Sequence, residues 1–543
     1  MKRILNTFML CLTLMIGASC TRPQYDICIY GESASGVIAA IQAARMGKTV
    51  CLISKNTHVG GMVTSGLTAT DMNRHAVIGG VTAEFYGKLY EYYMNPDVWR
   101  NQTRDEFMES SKKRTFTGKN DTRRIQWVYE SGVAEKIMKE WLAEEGVTVI
   151  YETRLAEEGG VEKYGDEIRR IVFTDGTSLT AKMFIDASYE GDLMAASGVS
   201  YIVGRESKDM YDEEFGGIRI NYDAPYDMGT ISPYKESTGE ILPYVDPAPW
   251  GEQGAADNRT QAYCYRVTLT DDPANQVEIT RPENYNEDWY QILLGTIRMN
   301  PEIELKNIIT FTPMPNRKTD TNHLDFFGAS YPYPEASYAE RAELEQLHKD
   351  YALGMMWFLG NDPRVPERLR NEMKKWGLAA DEFKDNGSFP HQIYVREARR
   401  MTGEYVMTQN NLNKENRIEA PQPIGMGNYP LDCHYVSRVV VDGKLHNEGT
   451  MHRVMPPYPI SFGSILPKKK ECTNLLVTVC LSSSHVAYCS IRMEPNYMVL
   501  GQSAASAAAL AIDGRCPVQD VNYDILRQRL LDDGQILEFP VKK

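Results

Sequence analysis

The chain has 543 residues, 42% of them hydrophobic and 24% charged, which is the composition of a packed globule and excludes a disordered or fibrous chain. That length leaves room for about three or four units of roughly 150 residues. A formal charge of −14 disfavours binding to nucleic acid phosphates or anionic lipid, and no basic tract offsets it.

In chain order, a targeting segment comes first. Lys2 and Arg3 precede an apolar run over 4–16, and Gly17, Ala18 and Ser19 lead to Cys20. The pattern resembles a bacterial lipoprotein signal occupying 1–20, cleaved before Cys20, whose acylation anchors the mature protein. An ordinary secretory signal is the alternative. The apolar run is too short to stay in a bilayer, and no later stretch approaches the roughly 20 apolar residues needed to span one. The expected location is therefore outside the cytoplasm, on the periplasm-facing outer membrane, with membrane contact only through the N-terminal lipid.

From Tyr25 the sequence predicts strand, turn, helix, strand: YDICIY, GESASG, VIAAIQAARMG and KTVCLIS. A second helix is predicted from Ser131 to Glu145, then the strand GVTVIYE. A hairpin turning at Asp175 and Gly176 feeds another strand ending FIDAS. Residues 206–390 are rich in Tyr, Pro, Asn and Asp with few long periodic segments, as expected of an inserted substrate-facing domain. Alternation returns in SRVVVDG and NLLVTVCL, followed by an Ala-rich helix from Asn496 to Ile512 that stops at Gly514. The fold predicted is α/β: a nucleotide-binding domain built from 25–205 and 391–530 around a middle α+β insertion.

Of the ten cysteines, Cys28 and Cys51 fall on predicted core strands, where a buried free thiol is expected. No CxxC pair, HExxH or P-loop occurs, so neither metal catalysis nor a P-loop nucleotide site is expected.

Gly31 to Gly36 follows most of the G-x-G-x-x-G logic. Gly31 makes the tight turn, Gly36 allows close helix–sheet packing, and the helix N-terminus offers amides to a pyrophosphate. Ser33 replaces the middle glycine. At the end of the next strand, where a ribose-binding acid is usual, stand Ser54 and Lys55. Two glycine pairs follow, Gly60-Gly61 and Gly79-Gly80, as ordinary loop turns or as places where backbone approaches a ligand.

With these motifs, and with HVGGMVTSGLTATD, FIDASYEGDLMAASGVSY, YVREARRMTGEYVMT and SSSHVAYCSIRMEPNYMVLGQSAA, nearly the whole mature chain resembles a bacterial family of FAD-dependent oxidoreductases. Its nucleotide fold is Rossmann-like, of the glutathione-reductase FAD/NAD(P)-binding type, and some of its members carry the label xanthan lyase. The resemblance implies FAD as cofactor, with Gly31, Ser33, Ala34, Ser35 and Gly36 on the pyrophosphate and Ser54 and Lys55 near the adenosine ribose. It places Gly60, Gly61, Met62, Ser65 and Gly66 along the pyrophosphate and ribityl chain, and Ala187 and Ser188 beside the adenine half. Ser484, Arg492, Met493 and Gln502 are implied in the C-terminal segment beside the flavin ring. Relatives of this family hold iron–sulfur clusters on grouped thiolates; without such a group, no cluster is expected.

Oxidising an alcohol carbon needs a base for the hydroxyl proton, and histidine suits that task. His485 and His434 are the catalytic candidates. In REARRM, Arg396 with Arg400 on one helical face is expected to clamp a polar substrate, and Asn322 in the polar loop PNRKTDTNH to meet a sugar hydroxyl. The expected activity is hydride transfer between flavin N5 and a carbohydrate, oligosaccharide or related polar molecule, with the electron acceptor left open. The alternatives are a xanthan-type polysaccharide lyase and a non-catalytic flavin-binding lipoprotein.

Overall fold

Tyr25–Tyr30 (β1) runs parallel to Val50–Ile53 (β2), with Ile27 opposite Val50 and Ile29 opposite Leu52. Ile27, Ile29 and Leu52 enter one apolar cluster, while Cys28, Tyr30, Cys51 and Ile53 enter another on the opposite face. A strand buried on both faces is what a covered parallel sheet requires. The computed structural model describes residues 24–73, 75–110, 123–220 and 228–539, so the predicted signal and Cys20 lie outside the described residues. No described helix is long and apolar enough to cross a membrane.

Helix α1 (Ala34–Arg45) begins three residues earlier than the apolar pattern suggests, because Ser33 caps it by accepting from the Gly36 amide. Next come helices α2 (Gly80–Met94) and α3 (Ser131–Glu144) and strands β3 (Thr148–Ile150) and β4 (Ala181–Asp186). Far along the chain, Leu475–Val477 (β10) pairs with β4 and completes a five-stranded parallel sheet ordered β10-β4-β1-β2-β3. Both ends of the chain thus build one Rossmann-type sheet. The antiparallel strands over 161–179 send Ile168, Ile171, Phe173 and Leu179 into the cluster holding Cys28 and Cys51, covering that face.

The opposite face is covered by α1 and by the Ala-rich helix α6 (Glu494–Gly514), which follows α5 (His485–Ile491). Small residues bring these helices close. A Cβ on Gly501 would stand 2.3 Å from the Ser35 carbonyl oxygen, and the Gln42 amide donates to Ser506 Oγ at 3.0 Å.

A second, antiparallel sheet is drawn from 268–379. It comprises β5 (Thr268–Thr270), β6 (Gln276–Val277), β7 (Thr310–Met314), β8 (Lys318–Asn322) and β9 (Gly377–Ala379), ordered β6-β9-β5-β8-β7. Three expectations need correction here. The PNRKTDTNH loop is a turn followed by β8. The region also contains a 24-residue helix, α4 (Tyr338–Asn361), whose buried face mixes Arg341, His348 and Asp350 with Tyr351 and Met355 and so lacks an apolar period. REARRM is not helical: only Arg400–Met401 has regular structure, pairing with Tyr201–Ile202, because buried ion pairs hold each arginine separately.

Lys318 on β8 fastens this sheet to the nucleotide-binding half. Its buried ammonium lies 2.8 Å from each of Glu130, Asp381 and Glu382, and Glu382 in turn accepts from the Gly132 amide at the start of α3 at 2.9 Å. Burial opposes this charge, but the three carboxylates outweigh it and hold the lysine protonated above its ordinary range.

Candidate functional site

A cavity opens where β1 and β2 end, at Tyr30 and Ile53, against the turn that starts α1. Ligands of open parallel sheets sit at this place, outside the carboxyl ends of the strands. Gly31 has φ +107°, and a Cβ there would stand 2.3 Å from the Ser188 amide nitrogen, so only glycine allows the turn. Ser33 is engaged within the protein: its hydroxyl donates to the Ala187 carbonyl at 2.6 Å while capping α1. Ser35 Oγ donates to Thr478 Oγ1 at 2.8 Å, and Ala34 is buried. These contacts fix the first turn of α1, whose N-terminal dipole favours an anion.

Ser54 is turned away from this cavity, its hydroxyl donating to the carbonyls of Asn56 and His58 at 2.9 and 2.8 Å. Lys55, Ser188 and Glu32 do line it, and the Lys55 amide donates to Glu32 Oε2 at 3.3 Å. Glu32, inside the glycine turn itself, is a residue the sequence reading missed. Tyr338 and Arg341 of α4 close the far wall, and Arg341 is locked on Asp192 at 2.8 and 3.0 Å.

The second glycine loop packs against protein. The side chain absent at Gly61 leaves room for Tyr189, whose hydroxyl would be 2.4 Å from a Cβ, and Gly66 at φ +97° lies under the Arg266 carbonyl. The Met62 amide donates to Tyr189 Oη at 2.9 Å, and that hydroxyl donates to Glu494 Oε1 at 2.8 Å. Gly60 and Ser65 are buried in the same loop. Asp320 of β8 clasps this loop to the second sheet, accepting from the Thr68 and Ala69 amides at 3.1 Å each and from Arg266 at 2.6 Å.

At the start of α6, Met493 is the cap and Glu494 the first helical residue. Three buried polar atoms of this helix have no hydrogen-bond partner: Glu494 Oε2 and Asn496 Oδ1 in its first turn, and Gln502 Nε2 about two turns further on. Buried polar atoms left open in this way mark a place for a polar ligand, so the residues at both helix N-termini fit a long polar cofactor. Gln502 Oε1 is already used, accepting from the Val81 amide at 3.0 Å to cap α2. Ser484 caps α5 and donates to Glu213.

Burial pushes the Glu494 carboxyl up to about 8 from its ordinary 4.5, and the hydrogen bond from Tyr189 only partly opposes this. Between those values the unfolded chain is ionised while the native carboxyl keeps its proton. The native state therefore binds more protons there, and stability falls as pH rises through the window. Glu494→Gln is expected to raise the thermal midpoint relative to wild type, with the gain growing from pH 5 to pH 8 in a calorimetric series. An equal gain at both pH values contradicts this assignment.

His434 follows the short strand that ends at Cys433, and its backbone amide donates to Gln261 Oε1 at 3.2 Å. Its Nδ1 is 2.6 Å from Asp325 Oδ2, and Arg396 grips Asp325 Oδ1 at 2.8 Å. Its Nε2 stands 3.8 Å from Asp432, beyond hydrogen-bond reach and open to a further partner. Burial raises the Asp325 carboxyl, but Arg396 and His434 overcome this and hold it well below the usual range. Arg492 donates to Tyr394 Oη and to the Asp432 carbonyl, each at 2.8 Å, which ties the start of α6 to this cluster. Asp432 was legible beside His434 in DCH; Asp325 carried no sequence signal.

The remaining candidates sit elsewhere. His485 is 1% exposed, with Nδ1 on Glu397 at 2.9 Å and Nε2 turned inward toward Arg219 and Cys433 at 3.3 and 3.6 Å, so neither nitrogen is presented to a substrate. Arg396 and Arg400 are likewise buried, Arg396 on Asp325 and Arg400 on Glu206 and the Gly204 carbonyl; they position other groups and form no clamp. Asn322 ends β8, and its side chain accepts from the His323 amide at 2.9 Å.

Structural likeness to solved proteins is partial. L-amino acid deaminase from Proteus vulgaris aligns at 14% identity and a TM-score of 0.23 over 34% of this chain and 53% of that one. L-proline dehydrogenase from P. horikoshii aligns at 14% and 0.23 over 34% and 58%. Glycine oxidase from Geobacillus kaustophilus aligns at 14% and 0.23 over 34% and 64%. This chain therefore spans between half and two thirds of the length of these proteins. No curated protein sequence matches it. The model of the family described as FAD dependent oxidoreductase matches residues 26–530, and the chain belongs to that family, with FAD as its cofactor.

Proposed function

We propose that this enzyme oxidises or reduces a hydroxyl-bearing small molecule, a carbohydrate or related polar compound, with His434 exchanging the hydroxyl proton. The observation that carries this reading is the His434–Asp325–Arg396 chain. The carboxylate holds the proton on Nδ1, which leaves Nε2 as the base, and Arg396 keeps that carboxylate ionised. FAD, when bound, supplies the hydride exchange at its N5. The α1 N-terminus, Gly31 and Ser188 would hold its pyrophosphate, and Glu494, Asn496 and Gln502 its more distal polar groups. Anaerobic mixing of the flavin-loaded protein with a panel of sugars, alditols and hydroxy acids tests the reading: bleaching near ~450 nm, where oxidised flavin absorbs, is expected with at least one of them. A panel that leaves the flavin oxidised would favour a non-catalytic binding lipoprotein. Release of unsaturated sugars without bleaching would favour a lyase, a chemistry with no use for the cradle at α1.

Glu32 is proposed to take the ribose-binding part that Ser54 does not play, since Glu32 lines the cavity and Ser54 is bonded away from it. Glu32→Ala is expected to weaken FAD binding by about tenfold or more, the worth of one hydrogen bond to a charged group, measured by flavin fluorescence titration. Ser54→Ala should change it little. Equal losses in the two variants would defeat the assignment. The lipid anchor at Cys20, and with it an exported, envelope-attached enzyme, belongs to the same proposal; Cys20→Ser should move the protein from the membrane to the soluble fraction.

A further inference from the structure

Immediately behind His434, three soft or borderline ligands converge from distant parts of the chain. Cys433 ends a short strand, Leu431–Cys433, while His485 and Cys489 lie four residues apart on one face of α5. Cys433 Sγ, His485 Nε2 and Cys489 Sγ all lie within 4.8 Å of one another, and the three residues are 2%, 1% and 0% exposed. We propose that they form a buried site for a thiophilic metal ion of the Zn(II) or Cu(I) class, pinning α5 to the strand that leads into His434.

The spacing suits such an ion. Cys433 Sγ and His485 Nε2 are 3.6 Å apart. Metal bonds of about 2.3 Å to sulfur and about 2.0 Å to nitrogen at a tetrahedral angle place those atoms about 3.5 Å apart. Both cysteines are free thiols, and thiolate with imidazole is the donor set these ions select.

The surroundings are those of a ligating histidine. His485 Nδ1 lies 2.9 Å from Glu397 Oε2, so the carboxylate holds the proton on Nδ1 and turns Nε2 toward the sulfur, the outer-shell arrangement that orients metal-bound imidazoles. Glu397 is itself steadied by Gln261, whose amide nitrogen also stands 3.5 Å from Cys489 Sγ.

Charge supports the site too. Arg219 Nη2 faces it, 3.3 Å from His485 Nε2 and 3.6 Å from Cys433 Sγ. Two thiolates, Glu397 and Glu206 carry four negative charges; a divalent ion, Arg219 and Arg400, which pairs with both acids, carry four positive ones. A buried cluster that sums to zero avoids the cost of an uncompensated charge. By this count Zn(II) suits the site better than Cu(I), which leaves one negative charge over.

The experiment uses the mature, flavin-loaded protein, equilibrated under reducing conditions with Zn(II) or with Cu(I), dialysed against chelator and assayed for metal by mass spectrometry. About one equivalent is expected to remain in wild type, and Cys489→Ser should retain at least about tenfold less, while its flavin absorbance shows that the fold persists. X-ray absorption of the loaded wild type should show metal–sulfur scattering at about 2.3 Å, which keeps the test independent of any variant's folding. Less than about a tenth of an equivalent retained by wild type, scattering from oxygen and nitrogen alone, or full retention by Cys489→Ser would each overturn the proposal. So would peptide mapping that finds Cys433 joined to Cys489 as a disulfide in the protein as isolated. None of these readouts depends on the substrate or on His434 acting as a base.

Discussion

Replacing His434 with Asn is expected to slow substrate-driven flavin bleaching by about 10²–10⁴-fold, the usual contribution of a positioned general base, while leaving the flavin spectrum intact. Asparagine keeps roughly the size of the ring and can still donate to Asp325, so the buried Arg396–Asp325 pair is not exposed by the change. Asp325→Asn should give a loss of similar order by a different route, because an amide no longer fixes the Nδ1–H tautomer that frees Nε2. That variant also strands the Arg396 guanidinium and should lower the melting temperature, which His434→Asn should not. Stopped-flow reduction, using whichever hydroxyl compound bleaches wild type, separates the two effects. Unchanged reduction rates in His434→Asn would remove this histidine from the chemistry.

Lys318→Met is expected to destabilise the protein by about 3–5 kcal/mol, the range for breaking a buried ion pair from one side. Methionine nearly matches the stem, so the loss is of charge and not of packing. Glu130, Asp381 and Glu382 would then crowd together without their cation. Adding Glu382→Gln to Lys318→Met should recover part of the loss, because it removes one of the stranded charges, whereas Glu382→Gln alone should destabilise. This sign reversal is the diagnostic, read from urea unfolding followed by tryptophan fluorescence. Additive effects of the two changes would mean that the charges do not communicate.

What the sequence revealed is local. β1, the turn from Gly31 and α1 follow one another within about twenty residues, and their alternation, glycines and alanines are all determined by near neighbours. REARRM misled because arginines at helical spacing suggest a helix only when solvent or one another are their partners. Here Arg396, Arg399 and Arg400 each reach a different acid, Asp325, Asp192 and Glu206, and the backbone extends to let them. Helix α4 was hidden for a related reason: Arg341 and Asp350 stand on its buried side, paired with Asp192 and Asn284. At the site, His434 was nameable because histidine is rare and sits in a recognisable segment. Asp325 was not, since its worth comes from a partner 109 positions away. The Cys433, His485 and Cys489 cluster shows the same limit, with 52 residues separating its first two members.

The pairing of β10 with β4 bears on the order in which the molecule is made. During synthesis β1, β2, β3 and β4 emerge early, but their sheet has an open edge and a bare face until Leu475–Val477 and the alanine helix arrive, almost three hundred residues later. Such long-range closure is slow and leaves apolar surface uncovered in the meantime. Glu494, Asn496 and Gln502 are also among the last residues to appear. Cofactor capture is therefore an event of the finished chain, and a ribosome-bound fragment ending before Leu475 should be a client of chaperones and not a holder of flavin.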